Sequence, residues 1–172
     1  MLIRKKLLAC VAIVAFAAAC EPTPQPQQQP AKQLSQTLRQ DLRAGRINTY
    51  EQYSRCAGLN RLLAGIPSGQ TAKLTPEQRK TFQGLALSAV AFQSLAGAEL
   101  ARTNPGTPNI QKVAARQTAR NTEAYAASYA LVFAAAQVQA KGKKGVLPPL
   151  IADDLKLCID VLRRDIEKAR TS

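Results

Sequence analysis

From residue 33 to its end, this chain is punctuated by helix start and stop signals and nowhere carries the β-branched alternation of a strand. That restricts it to helix packed on helix. Leu34, Leu38 and Leu42 recur every four residues before Ala44-Gly45 stops a short first helix. Asn48-x-x-Glu51 reads as a capping box opening a second helix that runs to Ala64-Gly65. Ile66-Pro-Ser-Gly-Gln70 is then a turn. Thr75-Pro76-Glu77-Gln78 is the clearest start in the chain. Thr75 caps, Pro76 suits the first helical position because its missing N–H has no partner there anyway, and Gln78 completes the box. This third helix extends to about Thr103, where Asn104-Pro105-Gly106 breaks it. Thr107-Pro108 opens a fourth that continues through alanine-rich sequence to about Lys141, ended by Gly142 to Gly145. Pro148-Pro149 starts a fifth that reaches about Ala169.

Short connections favour antiparallel neighbours, so the expected fold is all-α. It is an antiparallel up-down bundle of four long helices plus a short leading helix, over residues 33–172. Small residues (Gly84, Ala86, Ala89, Gly97, Ala126, Ala130, Ala134) imply close helix approach in the core. No segment of this part reads as apolar all round for the roughly 20 residues a membrane span needs.

The start of the chain has a different composition. Arg4-Lys5-Lys6 precedes Leu7 to Ala19, an almost wholly apolar run that is too short to span a bilayer and ends at Cys20. A basic start, an apolar middle and small residues before the cut describe a secretory leader. With Ala17-Ala18-Ala19-Cys20 it resembles the signal of bacterial lipoproteins, over residues 1–20 only. The resemblance implies cleavage after residue 19 and lipidation of Cys20. Ala17 stands where the pattern more often has leucine, and Leu7-Leu8-Ala9-Cys10 matches residue by residue, but cutting there leaves too little apolar leader. Ala17-x-Ala19 also fits ordinary cleavage. In the lipoprotein family an Asp after the cysteine retains the protein at the inner membrane, so Glu21 implies the outer membrane. Residues 20–32 are then a lipidated cysteine and a tether, rich in Pro and Gln and with almost nothing to bury.

The four cysteines, Cys10, Cys20, Cys56 and Cys158, bear on the choice. If Cys10 leaves with the leader and Cys20 is acylated, Cys56 and Cys158 remain as an even pair; ordinary cleavage leaves an odd thiol. Tyr53, Cys56, Leu59 and Leu63 share one helical stripe, and so do Ile151, Leu155, Cys158 and Leu162. In an up-down order both cysteines lie about 14–15 Å below the same end of the bundle. A Cys56–Cys158 disulfide is expected; two buried free thiols are the alternative.

The chain contains no histidine. That removes the commonest general base, the usual catalytic triads, most zinc sites and histidine-ligated haem. Gly142-Lys143-Lys144-Gly145 lacks the spacing of a phosphate loop. Asp153-Asp154 falls in the first turn of the last helix, where acids complement the dipole. Glu99, after an apolar run, is the lone acid a cell-wall hydrolase could use, but the chain has no tryptophan to hold sugar, and a salt bridge to a nearby arginine is the expected role. No catalytic residue, metal or cofactor is expected.

Charge is the remaining handle. The formal net charge is +13, or about +10 once Arg4, Lys5 and Lys6 leave with residues 1–19. Lys112, Arg116 and Arg120 form one row on the fourth helix, with Tyr125, Tyr129 and Phe133 in another row roughly 140° away. One row should face water and the other the core. Arg163, Arg164, Lys168 and Arg170 close the last helix, beside Arg102 in an up-down order, and Lys73, Arg79, Lys80, Lys141, Lys143 and Lys144 gather at the other end.

Together these features lead to an outer-membrane lipoprotein on the periplasmic side, serving as a non-catalytic binding or assembly accessory. Its expected partners are the membrane through its anchor and an anionic lipid, lipopolysaccharide or acidic envelope protein, but not nucleic acid. A phage or conjugation exclusion lipoprotein uses the same anchor and is the alternative.

Overall fold

The computed structural model describes residues 34–66, 73–139 and 147–171. The leader, Cys20, the tether, most of the turn after Ile66, and Lys141, Lys143 and Lys144 lie outside the described residues. Five helices follow in order: α1 (Leu38–Arg43), α2 (Thr49–Gly65), α3 (Pro76–Thr103), α4 (Ile110–Gln139) and α5 (Pro149–Thr171). Among the described residues there is no strand.

Local chemistry sets the helix ends. At α3 the Thr75 hydroxyl accepts from Gln78 N at 3.2 Å, and Gln78 Oε1 accepts from Thr75 N at 2.9 Å. Both donors are ones the first turn leaves unpaired. The same reciprocal box, between Thr37 and Gln40, opens α1 four residues later than the leucine spacing suggests. Asn48 Oδ1 accepts from Glu51 N at 2.9 Å and starts α2. α1 stops at Gly45, whose φ of +64° is the left-handed conformation that glycine takes without a steric penalty. α4 begins at Ile110, later than Thr107-Pro108 implies. Thr107 N first closes a turn onto Asn104 O at 3.2 Å, and Asn109, at φ +55°, then redirects the chain.

The packing has a centre. Every residue from Ser54 to Asn60 is buried, seven in a row, so this part of α2 is covered on all sides. α2 runs along both α3 and α4 and also touches α1 and α5, while α3 and α4 pack on each other less extensively. Contact with α4 is closest at Gly58. A Cβ there would lie 2.6 Å from Tyr125 Cβ and 2.8 Å from Thr122 O and Ala126 N, so any larger residue would have to push the helices apart. The small residues highlighted in the sequence do less. Gly84, Ala86 and Ala134 face solvent and Ala89 is buried, while the close approach joins Ala126 of that set to Gly58, a glycine outside it.

Cys56 and Cys158 are fully buried and bonded, with Cα atoms 5.6 Å apart across 102 residues of sequence. Closing a loop of that length is worth up to about 4–5 kcal/mol in the chain-entropy model. Leu59, Leu63, Phe92, Tyr129, Ile151 and Val161 pack around the same core.

α3 departs from expectation. By length and composition it is apolar enough to cross a membrane, yet only 17% of its most apolar window is buried. Ala89, Phe92 and Ala96 point inward, whereas Leu87 is 72% exposed and Val90 62%. The outward face of α3 is apolar and left uncovered by the fold.

Candidate functional site

The two rows on α4 face as their spacing requires. Lys112, Arg116 and Arg120 are exposed, Tyr125 and Tyr129 are buried, and Phe133 packs on the edge of the core. α5 also exposes Arg163, Arg164, Lys168 and Arg170, but does not gather them into one patch. At 100° per residue, Arg163 and Arg170 lie roughly 130° around the helix from Arg164 and Lys168. Arg163 and Arg170 line a shallow groove against Ser88 of α3. Arg164 turns its Nε back to its own helix, onto Asp160 O at 3.3 Å. One residue on, Asp165 accepts the Tyr53 hydroxyl at 3.0 Å. Burial, then the bond to Asp165 and its charge, push the Tyr53 hydroxyl up to about 12.

Among the described residues, Arg55 sits at the centre of a buried polar network. Arg55 is 1% exposed and Asp154 0%. Arg55 Nη2 reaches Asp154 Oδ2 and Gln36 O, each at 2.7 Å, while Nη1 reaches Asp41 Oδ2 at 2.5 Å and Nε donates to the Tyr129 hydroxyl at 2.9 Å. The Tyr129 hydroxyl in turn donates to Asp154 Oδ2 at 2.5 Å, and Leu38 N donates to Asp154 Oδ1 at 2.5 Å. The node thus ties α1, α2, α4 and α5 together. α3 is outside it and is held by packing.

Burial alone would lower the proton affinity of Arg55, but the Asp154 charge beside it and the hydrogen bonds to Tyr129 and Asp154 raise it instead, so the guanidinium stays charged. Tyr129 is held well above its ordinary value, first by burial and then by the Asp154 charge beside it. With Arg55 and Asp154 both buried, this constellation joins helices. Two sequence readings need correcting. Asp153-Asp154 lies in the second turn of α5, not the first, because the helix begins at Pro149, and Asp154 is a core ligand for Arg55 rather than a dipole cap. Arg55 escaped notice because a lone charge within a helix usually belongs to a solvated face.

Glu99 does pair with an arginine. Its carboxylate accepts from Arg102 Nε at 2.9 Å and Nη2 at 2.7 Å. The hydrogen bonds from Arg102 hold Glu99 below the usual carboxylate range. A general acid working near neutrality requires the opposite shift. Among the described residues, no group of three or more Cys, Asp or Glu is placed to hold a metal ion. No protein-family model, curated protein or solved structure matches this chain.

Proposed function

We propose that the chain is an outer-membrane lipoprotein, anchored through Cys20 on the periplasmic side, whose helical domain is a non-catalytic accessory that binds anionic envelope surfaces. One observation carries the reading: four of the acids are tied to partners within the fold, whereas five cations on α4 and α5 are exposed and take part in no ion pair among the described residues. Asp41 and Asp154 bind Arg55, Glu99 binds Arg102, and Asp165 takes the Tyr53 hydroxyl. Lys112, Arg116, Arg120, Arg163 and Arg170 are exposed, with no carboxylate in ion-pair range among the described residues. A tethered body of this charge is drawn to phosphate-bearing surfaces, at about 1 kcal/mol per Lys or Arg close to the surface. The up-down order of the helices belongs to the same reading. It is supported for α2 and α5, where Tyr53 meets Asp165 and Cys56 meets Cys158, a descending pairing.

Two measurements test it. Cys20→Ser should release the protein from envelope membranes and abolish palmitate labelling; continued labelling would refute the anchor. The mature chain carrying Cys20→Ser should co-sediment with vesicles containing phosphatidylglycerol at low salt and dissociate by 0.5 M salt, where the Debye length falls to about 4 Å. Indifference to anionic vesicles at low salt would move the role of the basic faces to an acidic protein partner.

A further inference from the structure

The outer side of α5 combines two kinds of residue that a solvated face does not need together. Ile159 is 50% exposed and Ile166 45%, with half-buried Leu162 between them. Arg163 and Arg170 are interleaved with them. At 100° per residue, all five side chains fall within an arc of about 100°. Ser88 of α3 forms the facing wall of a groove of about 360 Å³, which reaches the range of roughly 300–1,000 Å³ seen for small-molecule sites. Its floor is apolar and its two cations lie seven residues apart, about 10 Å along the axis, either side of Ile166. Neither arginine has a carboxylate in ion-pair range among the described residues. Glu167 stands at the rim and lowers the local charge, which favours a monoanion over a dianion.

We propose that this groove binds one acyl chain of an anionic phospholipid. The chain lies over Ile159, Leu162 and Ile166, and its phosphodiester is held between the Arg163 and Arg170 guanidiniums. Guanidinium presents paired N–H donors that match phosphate oxygens, and its weak hydration suits a site half covered by hydrocarbon. The inference deepens the anionic-surface reading and rests on it for the partner's charge. It adds a bound chain, which bare electrostatic attraction does not require.

The probe is lauroyl-lysophosphatidylglycerol below its micelle concentration, titrated calorimetrically into the mature chain with Cys20→Ser. Lauroyl-lysophosphatidylcholine, dodecyl maltoside and glycerol phosphate serve as comparisons. Saturable one-to-one binding is expected for the anionic lipid, at least tenfold tighter than for the choline lipid and with no measurable binding of glycerol phosphate. Ile159→Asn/Ile166→Asn and Arg163→Gln/Arg170→Gln should each weaken it tenfold or more. All four side chains are exposed, and unchanged circular dichroism would confirm that the variants fold. Equal binding of dodecyl maltoside would reduce the groove to a sticky patch and overturn the proposal. So would anionic binding that the isoleucine variant leaves unchanged. If the Cys20→Ser chain with its groove unaltered binds phosphatidylglycerol vesicles at low salt but takes up no lysolipid, the groove is refuted while the surface reading stands. If it binds neither, both fail.

Discussion

The middle of α2 and the middle of α3 are buried in inverse proportion to their hydrophobicity. Ser54 to Asn60 includes a serine, an arginine, a glycine and an asparagine, and all of it is covered. α3 is apolar enough to cross a membrane, yet it leaves Leu87 and Val90 in solvent. Hydropathy does not rank helices by depth here, because depth is decided by what each can satisfy. Arg55 is tolerable in the core only because four acceptors converge on it from α1, α4 and α5 and the segment before α1. α3 has no such anchor, and its outward face is left to whatever surface the protein meets.

The sharpest way to break this contrast is Asp154→Ala, which strands a charged guanidinium in the core. It should destabilise the fold by about 3–5 kcal/mol in urea unfolding. A loss under 1 kcal/mol would mean that Asp41 and Tyr129 suffice to hold Arg55. Cys56→Ser with Cys158→Ser should cost roughly 2–5 kcal/mol, and the oxidised protein should run as a compact monomer on non-reducing electrophoresis. Equal mobility with and without reductant would contradict the bond. Gly58→Ala should cost about 1–3 kcal/mol by overpacking α2 against α4; full stability would show that α4 can shift outward freely.

Protonation provides a milder perturbation of the same region. Tyr129 keeps its proton in the fold well above pH 10, whereas in the unfolded chain it titrates near 10. Above pH 10 the unfolded state therefore binds fewer protons, and stability falls as pH rises, by up to about 1.4 kcal/mol per pH unit for that group. Below pH 10 its contribution is complete. With no histidine in the chain, stability should be flat between about pH 6 and 9, and Tyr129→Phe should flatten part of the alkaline decline. The smallest effect belongs to α3. Leu87→Ser with Val90→Ser should shift stability by no more than about 0.5 kcal/mol. A large loss would show that this face is structural after all.

The helix ends were legible because they are written in local chemistry. Thr75, Pro76 and Gln78 satisfy first-turn donors wherever the helix lies. The disulfide was legible because each cysteine lies on the apolar stripe of its own helix, and α2 and α5 bring the two stripes together. The ionic node was not, although its signal was present. Arg55 adjoins Cys56, and Asp154 sits one turn before Cys158 on the same stripe, so joining the cysteines also brings the charges together. Depth within the bundle was harder still. Nothing local says that α2, rather than the more apolar α3, takes the centre; that depends on Gly58 meeting the backbone of α4.

Arg55 and Asp154 are 99 residues apart, and a chain is made from its N-terminus onward. At roughly 5–20 residues per second, the central helix emerges some 5–20 s before the carboxylate that completes its core. Throughout that interval Arg55 has Asp41 but lacks Asp154 and, until α4 is made, Tyr129, and Cys56 lacks Cys158, so α2 is poorly suited to bury itself early. The innermost helix therefore completes its core only once the last one is in place.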